Sequence, residues 1–280
     1  MHDCWAVTGL CMYFTMTGCE KWKTGCGQCP KYKEASWFRD RSAELYEKKK
    51  QLFLNSMMTI VTPSQWLANI MKESFLGVFP VEVIPNGIDI DIFKPRQSDF
   101  RQRYGIENHK KILLGVAFEW EKRKGLDVFE ELSRRLDSSI YQIVLVGTNE
   151  EVDKQLPSNI ISIHRTTDQK ELAEIYSSAD LFVNPTREDN YPTVNMEAIA
   201  CGTPVLTFDT GGSGEMVLEH TGSVVPCDDI ESLESEIIRI CTTEPYSRQD
   251  CVEQAKKFSE LLFTQKYMDL YSKLMRKADL

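Results

Sequence analysis

The chain has 280 residues, 42% hydrophobic and 27% charged, which is enough to bury one large core or two smaller ones. Its net charge is −9 and its pI about 5.1. Nucleic acid is therefore a poor partner, since proteins that bind it usually carry an excess of basic residues. No apolar run approaches the roughly 18 residues that a membrane-spanning helix needs, and the N-terminus does not resemble a signal peptide. With nine cysteines and no export signal, the sequence predicts reduced thiols in a cytoplasmic protein.

The charge is distributed unevenly along the chain. Residues 1–60 contain nine Lys and Arg against six Asp and Glu, whereas the rest of the chain is acidic. A bias of this kind usually marks a solvated surface, and contact with an anionic ligand or a membrane surface is the alternative.

The first third of the sequence is irregular. Residues 1–35 are rich in Cys, Gly and Lys and are predicted to be loop, followed by a helix over Arg39–Asn55. A short buried strand in MTIVTPS then leads to the helix QWLANIMKESF, which Ser64 can cap. The segment VEVIPNGIDIDIF predicts a further strand that runs into a Pro-Asn-Gly turn, and we place a domain boundary near Phe93–Pro95.

From Lys110 onward, apolar strands alternate with helices. The predicted strands are KILLGVAF, YQIVLVG, NIISIHR, DLFVNPT, PVLTFD and GSVVP; the predicted helices are GLDVFEELSRRLDS, DQKELAEIYSSA, PTVNMEAIAC, IESLESEIIRICTT and the last forty residues. This alternation predicts an α/β fold with a parallel sheet covered on both faces. Ligands of such sheets bind beyond the carboxyl ends of the strands.

The loop after DLFVNPT has features of a ligand site. A helix is predicted to begin near Pro192 or Thr193, and the N-terminus of a helix attracts anions such as a diphosphate. Asp189 precedes this helix and Glu197 lies about one turn inside it. Carboxylates repel phosphate but accept hydrogen bonds from sugar hydroxyls, so the combination fits a ligand that contains both phosphate and sugar.

Two cations follow the first strand of the regular region. Arg123 and Lys124, in EWEKRKGLD, could neutralise a diphosphate at the carboxyl edge of the sheet, although an isolated RKG is more often a solvated turn. Gly211–Gly214, after PVLTFD, predicts a loop that brings backbone close to a ligand, with Glu215 beside it. We discount DID at Asp89–Asp91 as a metal motif because it follows a turn at the predicted hinge.

Four cysteines lie within nineteen residues, with a C-x-x-C pair at the end: Cys11, Cys19, Cys26 and Cys29. One hypothesis is a structural zinc site, since small loop-rich segments commonly hold zinc with four thiolates. Thiols without a metal, buried or exposed, are the second hypothesis, and a redox pair formed by Cys26 and Cys29 is the third.

Several motifs resemble the retaining nucleotide-sugar glycosyltransferases of family 4, which have the GT-B fold. They are IPNGID (84–89), RKGLD (123–127), ADLFVNPT and EDNYPTVNMEAIACGTPVLTFDTGGSGE (188–215). The opening HDCWAVTG…CEKWKTGCGQCP resembles a subgroup linked to bacterial exopolysaccharide and capsule synthesis. The resemblance implies a complete Rossmann-like C-terminal domain with a parallel sheet, and a partial Rossmann-like N-terminal domain.

The resemblance also implies roles for individual residues. Asp189, with Glu188 as a rival, would meet the hydroxyls of the transferred sugar, and Glu197 those of the ribose. Lys124 would act at the diphosphate, together with Arg123, because Glu119 stands where the family often has an arginine. The other donor-binding residues would be Thr166 beside the nucleobase and Asn190, Tyr191, Pro192 and Thr193 around the diphosphate, while His2 would lie near the sugar as a further catalytic residue.

The implied organisation has three parts. Residues 1–93 would be a partial, acceptor-side domain with a Cys-rich insert at 4–30, residues 94–263 would bind the donor, and residues 264–280 would form a helix that packs back on the N-terminal part. Family members have about half a domain before the histidine that His2 matches, so we expect an N-terminally truncated chain.

The implied function is transfer of a sugar, with retention, from a nucleotide-diphosphate sugar to a glycan or polyprenyl-linked acceptor in exopolysaccharide or capsule synthesis. No cofactor is expected for catalysis, and peripheral contact with the inner membrane face follows from the same resemblance. One alternative is a non-catalytic nucleotide-sugar-binding or zinc-knuckle interaction module. A dinucleotide oxidoreductase is weaker, because no G-x-G-x-x-G follows a strand.

Overall fold

The computed structural model describes residues 1–278, and the last two residues of the predicted C-terminal helix lie outside it. The chain divides into two compact units, one formed by Met1–Pro85 with Glu188–Tyr191, the other by Asn86–Arg187 and the chain from Pro192 onward. Among the described residues, no helix is long and apolar enough to span a membrane.

The boundary between the units lies earlier than the predicted position near Phe93–Pro95. Residues 86–93 group with the second unit, because Ile88 forms an isolated parallel bridge with Ser259. The Ile88 N–H donates to the Phe258 carbonyl at 2.7 Å, and the Glu260 N–H donates to the Ile88 carbonyl at 3.1 Å.

The first unit is small and built largely of turns. Its regular elements are α1 (Tyr32–Ala35), α2 (Ser42–Leu54), β1 (Ile60–Thr62), α3 (Gln65–Glu73) and β2 (Val81–Val83), with 3-10 turns at Trp5–Val7, Thr15–Thr17, Lys21–Lys23 and Phe75–Val78. β1 and β2 pair in parallel. The Ser64 hydroxyl accepts from the Leu67 N–H at 3.0 Å, which confirms the predicted cap of α3.

The second unit contains the predicted alternation of strands and helices. Its elements are α4 (Phe100–Arg103), β3 (Lys111–Val116), α5 (Leu126–Arg135), β4 (Tyr141–Val146), α6 (Glu150–Asp153), β5 (Ile160–Ile163), α7 (Gln169–Ser178), β6 (Leu181–Asn184), α8 (Thr193–Ala200), β7 (Val205–Phe208), β8 (Gly222–Val225), α9 (Ile230–Thr243), α10 (Arg248–Ala255) and α11 (Glu260–Ala278). The C-terminal forty residues are not one helix, since a 3-10 turn at Lys256–Phe258 and extended Ser259 separate α10 from α11.

The six strands of this unit form one parallel sheet in the order β5-β4-β3-β6-β7-β8. β6 and β7 are buried at every position, as expected of strands covered on both faces. Successive strands β3, β4 and β5 are added toward one edge of the sheet, and β6, β7 and β8 toward the other. The point where the direction changes, called the topological switch point, therefore lies between β3 and β6. A crevice beyond the carboxyl ends of such a pair is where ligands bind in open α/β sheets.

Backbone packing holds the segments after β3 and β6 close together. Gly125 ends the 3-10 turn Lys122–Lys124 with φ of 80°, and a Cβ there would lie 2.5 Å from the Pro185 carbonyl oxygen. Only glycine allows both this conformation and this approach. The Arg187 N–H donates to the Arg123 carbonyl at 2.8 Å, which joins the two segments directly.

The buried side chain of Arg187 strengthens the same junction. Its guanidinium forms a two-pronged ion pair with Asp127, at 2.7 and 3.0 Å, and its Nε donates to Asp228 at 2.6 Å. It also donates to the Lys122 carbonyl. A planar guanidinium can satisfy all these acceptors at once, whereas a lysine ammonium cannot reproduce the fork.

We therefore expect Arg187→Lys to lower the free energy of unfolding by about 2 kcal/mol, the range of lost hydrogen bonds to charged groups. The matched control is Arg134→Lys, because Arg134 is an exposed arginine that also binds a carboxylate, that of Glu131. This control should change stability by less than about 0.5 kcal/mol. Urea denaturation of the three proteins measures both changes, and equal midpoints for all three would show that the Arg187 network does not stabilise the junction.

Candidate functional site

The two predicted cations lie on the turn that follows β3. Arg123 and Lys124 are half-buried in the 3-10 turn Lys122–Lys124. The Arg123 guanidinium forms an ion pair with Glu121 at 2.7 Å, so its charge is shared with a carboxylate of the same loop. Glu119 is exposed. Both cations thus lie at the carboxyl edge of the sheet, where ligands of parallel strands bind.

The predicted helix start lies after β6, the strand next to β3 in the sheet. α8 begins at Thr193, with Pro192 in the cap position at φ of −68°. The amide of Asn195 fixes this start, since it accepts from Asn184 at 2.8 Å and donates to the Ser213 carbonyl at 3.2 Å. The first turn of a helix carries N–H groups and positive partial charge toward an anion, and here that turn is held rigidly.

Glu197 lies inside α8 and is oriented by hydrogen bonds from two hydroxyls. Tyr176 donates to its Oε2 at 3.0 Å, and Thr193 provides the second hydrogen bond. Burial raises the pKa of the Glu197 carboxyl, although both hydrogen bonds act in the opposite direction. Burial also raises the pKa of Tyr176, so its hydroxyl keeps the proton that it donates.

Two other predicted donor-binding residues of the second unit lie on loops after strands. Thr166 is half-buried in the segment between β5 and α7. Glu215 is exposed in the 3-10 turn Ser213–Met216, which follows β7. Both loops follow the carboxyl ends of strands, β5 and β7.

The remaining predicted donor-binding residues, Asp189, Asn190 and Tyr191, group with the first unit, as does His2. The Asn190 amide donates to the His2 carbonyl at 2.9 Å and accepts from the Ser64 hydroxyl, so its side chain has a structural role within that unit. His2 is exposed, Asp189 half-buried and Tyr191 buried.

Glu188, the rival of Asp189, has its carboxylate bound inside the first unit. The side chain is 2% exposed. Its Oε1 accepts from the Met16 N–H at 2.9 Å and from the Thr15 hydroxyl at 3.2 Å, and its Oε2 lies 3.6 Å from the Lys31 ammonium. A carboxylate held in this way is a poor acceptor for sugar hydroxyls.

The four predicted zinc ligands, Cys11, Cys19, Cys26 and Cys29, line one small cavity of the first unit. All four are free thiols. Within the described part of the chain, no three His, Cys, Asp or Glu side chains are already arranged as the ligands of a metal ion.

Three residues of the site were not identified from the sequence: Tyr176, Asn195 and Arg187. Each forms hydrogen bonds with residues that are not its neighbours in the sequence and that the fold brings close. The sequence around these three residues gives no signal of their partners. Together they position Glu197, the start of α8 and the turn that carries Lys124.

The buried Glu197 predicts a distinctive dependence of stability on pH. A carboxyl whose pKa is raised on folding stabilises the fold below its unfolded pKa, near 4.5, and loses that contribution as pH rises through the folded value. Glu197→Gln removes the charge, so the variant should gain stability relative to the wild type as pH rises above 4.5. Urea denaturation from pH 4 to pH 8 measures this.

The matched control is Glu236→Gln, which should show the opposite sign. The Arg239 hydrogen bond lowers the pKa of Glu236, so this carboxylate stabilises the fold at neutral pH and ceases to do so as pH falls. Glu236→Gln should therefore be less stable than the wild type at pH 7 and approach it in acid. Parallel pH profiles for the two variants would contradict the buried state of Glu197.

Comparison with known sequences agrees with this geometry. The sequence model of the family described as glycosyl transferases group 1 matches residues 96–258. Over 244 residues the chain is 25% identical to WcaC of Escherichia coli K12, a putative colanic acid biosynthesis glycosyl transferase, covering 83% of this chain and 56% of that protein. The chain thus spans little more than half the length of this relative.

Solved structures show the same fold. Sucrose-phosphate synthase from Thermosynechococcus elongatus matches with a TM-score of 0.74 and 24% identity, over 88% of this chain and 65% of that one. Anabaena HepE in complex with UDP-glucose matches with a TM-score of 0.69 and 17% identity, over 82% of this chain and 68% of that one. The predicted α/β fold of the GT-B type is confirmed. The chain belongs to the glycosyl transferases group 1 family.

Proposed function

We propose that the chain binds a nucleotide-diphosphate sugar at the carboxyl edge of the six-stranded sheet and transfers the sugar to a glycan or polyprenyl-linked acceptor. The observation that carries this proposal is the arrangement at the switch point. The turn with Lys124 follows β3, α8 begins after β6, and these two strands are neighbours in the sheet. One ligand at this position meets a cation, a helix N-terminus and a carboxylate.

The chemistry of transfer explains why these groups are needed. Breaking the bond between the anomeric carbon and the diphosphate leaves negative charge on the departing phosphate oxygens. Lys124 and the first turn of α8 stabilise that charge because they are in place before it develops. The protein itself thus supplies the positive charge, and we propose that catalysis requires no cofactor.

Glu197 has the environment of a group that binds hydroxyls. A carboxylate whose pKa is raised by burial gains when a ligand supplies additional donors, and the two hydroxyls of a ribose are such donors. The proposed role of Glu197 is therefore to accept from the ribose, while Asp189 accepts from the transferred sugar. Thr166 would lie beside the nucleobase and His2 near the sugar.

The names of similar proteins agree with this proposal. The HepE structure contains UDP-glucose, and the Escherichia coli relative is named for colanic acid biosynthesis. We extend both features to this chain as a hexosyl transfer with retention, in exopolysaccharide or capsule synthesis. The same proposal places the protein in the cytoplasm, at the inner face of the membrane where polyprenyl-linked acceptors are found.

A non-catalytic nucleotide-sugar-binding module would have the same donor site. The two functions differ in turnover, because only an enzyme hydrolyses the donor or transfers its sugar. Incubation with a panel of UDP- and GDP-sugars and a polyprenyl-linked glycan, followed by mass spectrometry, separates them. The anomeric configuration of the product, read by NMR, tests retention.

Lys124→Ala should weaken binding of the preferred nucleoside diphosphate by about tenfold to a hundredfold, the cost of one hydrogen bond between charged groups. Binding of the corresponding nucleoside monophosphate should change less, because we assign Lys124 to the diphosphate. Calorimetry with both nucleotides measures the two effects.

The matched control is Lys122→Ala, since Lys122 is an exposed lysine of the same turn. This variant should bind both nucleotides like the wild type. Equal loss in the two variants would indicate a general charge effect rather than a diphosphate site, and full binding by Lys124→Ala would refute the assignment.

A further inference from the structure

The cavity lined by four cysteines in the first unit is independent of the donor site. It has a volume of about 20 Å³, and Cys11, Cys19, Cys26 and Cys29 all contribute to its wall. Its size is close to the minimum that holds one water molecule, so it accommodates a single ion rather than an organic ligand.

The distance between the Cys11 and Cys29 thiols fits a shared metal better than a disulfide. The Cys11 and Cys29 sulfurs lie 3.9 Å apart. In a disulfide the sulfurs are about 2.0 Å apart. Two thiolates bound tetrahedrally to one zinc ion, each at about 2.3 Å, lie about 3.8 Å apart. The observed separation thus leaves room for an ion between the sulfurs.

Two N–H donors belong to residues at or next to the cavity. The Gly9 N–H donates to the Cys26 sulfur at 3.2 Å. The indole N–H of Trp22, which also lines the cavity, is buried with no hydrogen-bond partner among the described residues. Four thiolates around Zn²⁺ carry a net charge of −2, which these groups would stabilise.

Separate anchors hold the segments that carry the cysteines. The Lys49 ammonium donates to the carbonyls of Trp5 and Thr8, at 2.7 and 2.9 Å, just before Cys11 in the chain. The Lys21 ammonium donates to the Gly27 and Gln28 carbonyls, at 2.8 and 3.0 Å, inside the C-x-x-C turn. These bonds anchor the backbone before Cys11 and between Cys26 and Cys29.

We propose that Cys11, Cys19, Cys26 and Cys29 bind one structural Zn²⁺ ion. Each thiol releases its proton to solvent as its sulfur bonds to the metal, and no oxidant or reductant takes part. Four protein thiolates fill a tetrahedral coordination sphere, so the ion has no open position for a substrate. It cross-links a segment that has only 3-10 turns and one short helix of its own.

Metal analysis of the full chain tests the proposal. Protein purified under reducing conditions without chelator should contain about one equivalent of zinc. Replacement by Co²⁺ should give the intense visible absorption of a tetrahedral site and a sulfur-to-cobalt charge-transfer band. Cys26→Ser should weaken that band and lower the zinc content, whereas Cys227→Ser, which changes an exposed cysteine of the second unit, should alter neither.

The wild-type measurements remain decisive if Cys26→Ser does not fold. Absence of zinc from the protein and of the cobalt spectrum after reconstitution would overturn the proposal, as would a disulfide between any two of the four cysteines in metal-free, functional protein. Nucleotide binding by the second unit is measured separately, so failure of the zinc proposal leaves the proposed donor site untouched.

Discussion

The junction between the segments that follow β3 and β6 is the constraint on which the rest of the site depends. Gly125 lets the first segment approach Pro185, and the Arg187 side chain binds both Asp127 and Asp228. Without this junction the turn that carries Lys124 would be an ordinary mobile loop. With it, the cation and the start of α8 are fixed at the one edge of the sheet where the strand order reverses.

The polar interior around α8 extends this rigidity to the ligand groups. Asn195 links the helix start to β6 and to the loop after β7, and Tyr176 holds Glu197 from the neighbouring helix α7. Each of these buried groups has its partner, so the arrangement is preorganised rather than assembled by the ligand. This preorganisation is unfavourable for the charged form of Glu197, because burial removes water from the carboxylate and raises its pKa. Hydroxyl donors of a ligand would replace that water.

The sequence predicted the fold because burial is encoded locally. Runs such as Leu181–Asn184 and Val205–Phe208 are buried at every position, and their apolar composition identifies them as inner strands. The cap at Ser64 and the helix start at Thr193 were likewise recognisable from local residue types. The break between α10 and α11 was missed, since the helical pattern is continuous across it and a tertiary contact of Ser259 with Ile88 decides it.

Interactions between residues far apart in the chain could not be predicted. Sequence alone left Glu188 and Asp189 as rivals, and it could not show that Glu188 contacts Thr15 and Met16, more than 170 positions away. The pairing of Arg123 with Glu121 also lay outside any pattern, because a loop does not fix which of its charges meet. Such contacts depend on the three-dimensional path of the chain, whereas the spacing of apolar residues along the sequence indicates only helices and strands.

A crystal structure of the chain with a bound nucleoside diphosphate tests the central claim most directly. The account predicts diphosphate oxygens within about 3 Å of the Lys124 ammonium and of backbone N–H groups in the first turn of α8, with a ribose hydroxyl bonded to Glu197. A nucleotide bound elsewhere on the protein, with Lys124 and Glu197 contacting no part of it, would contradict the account.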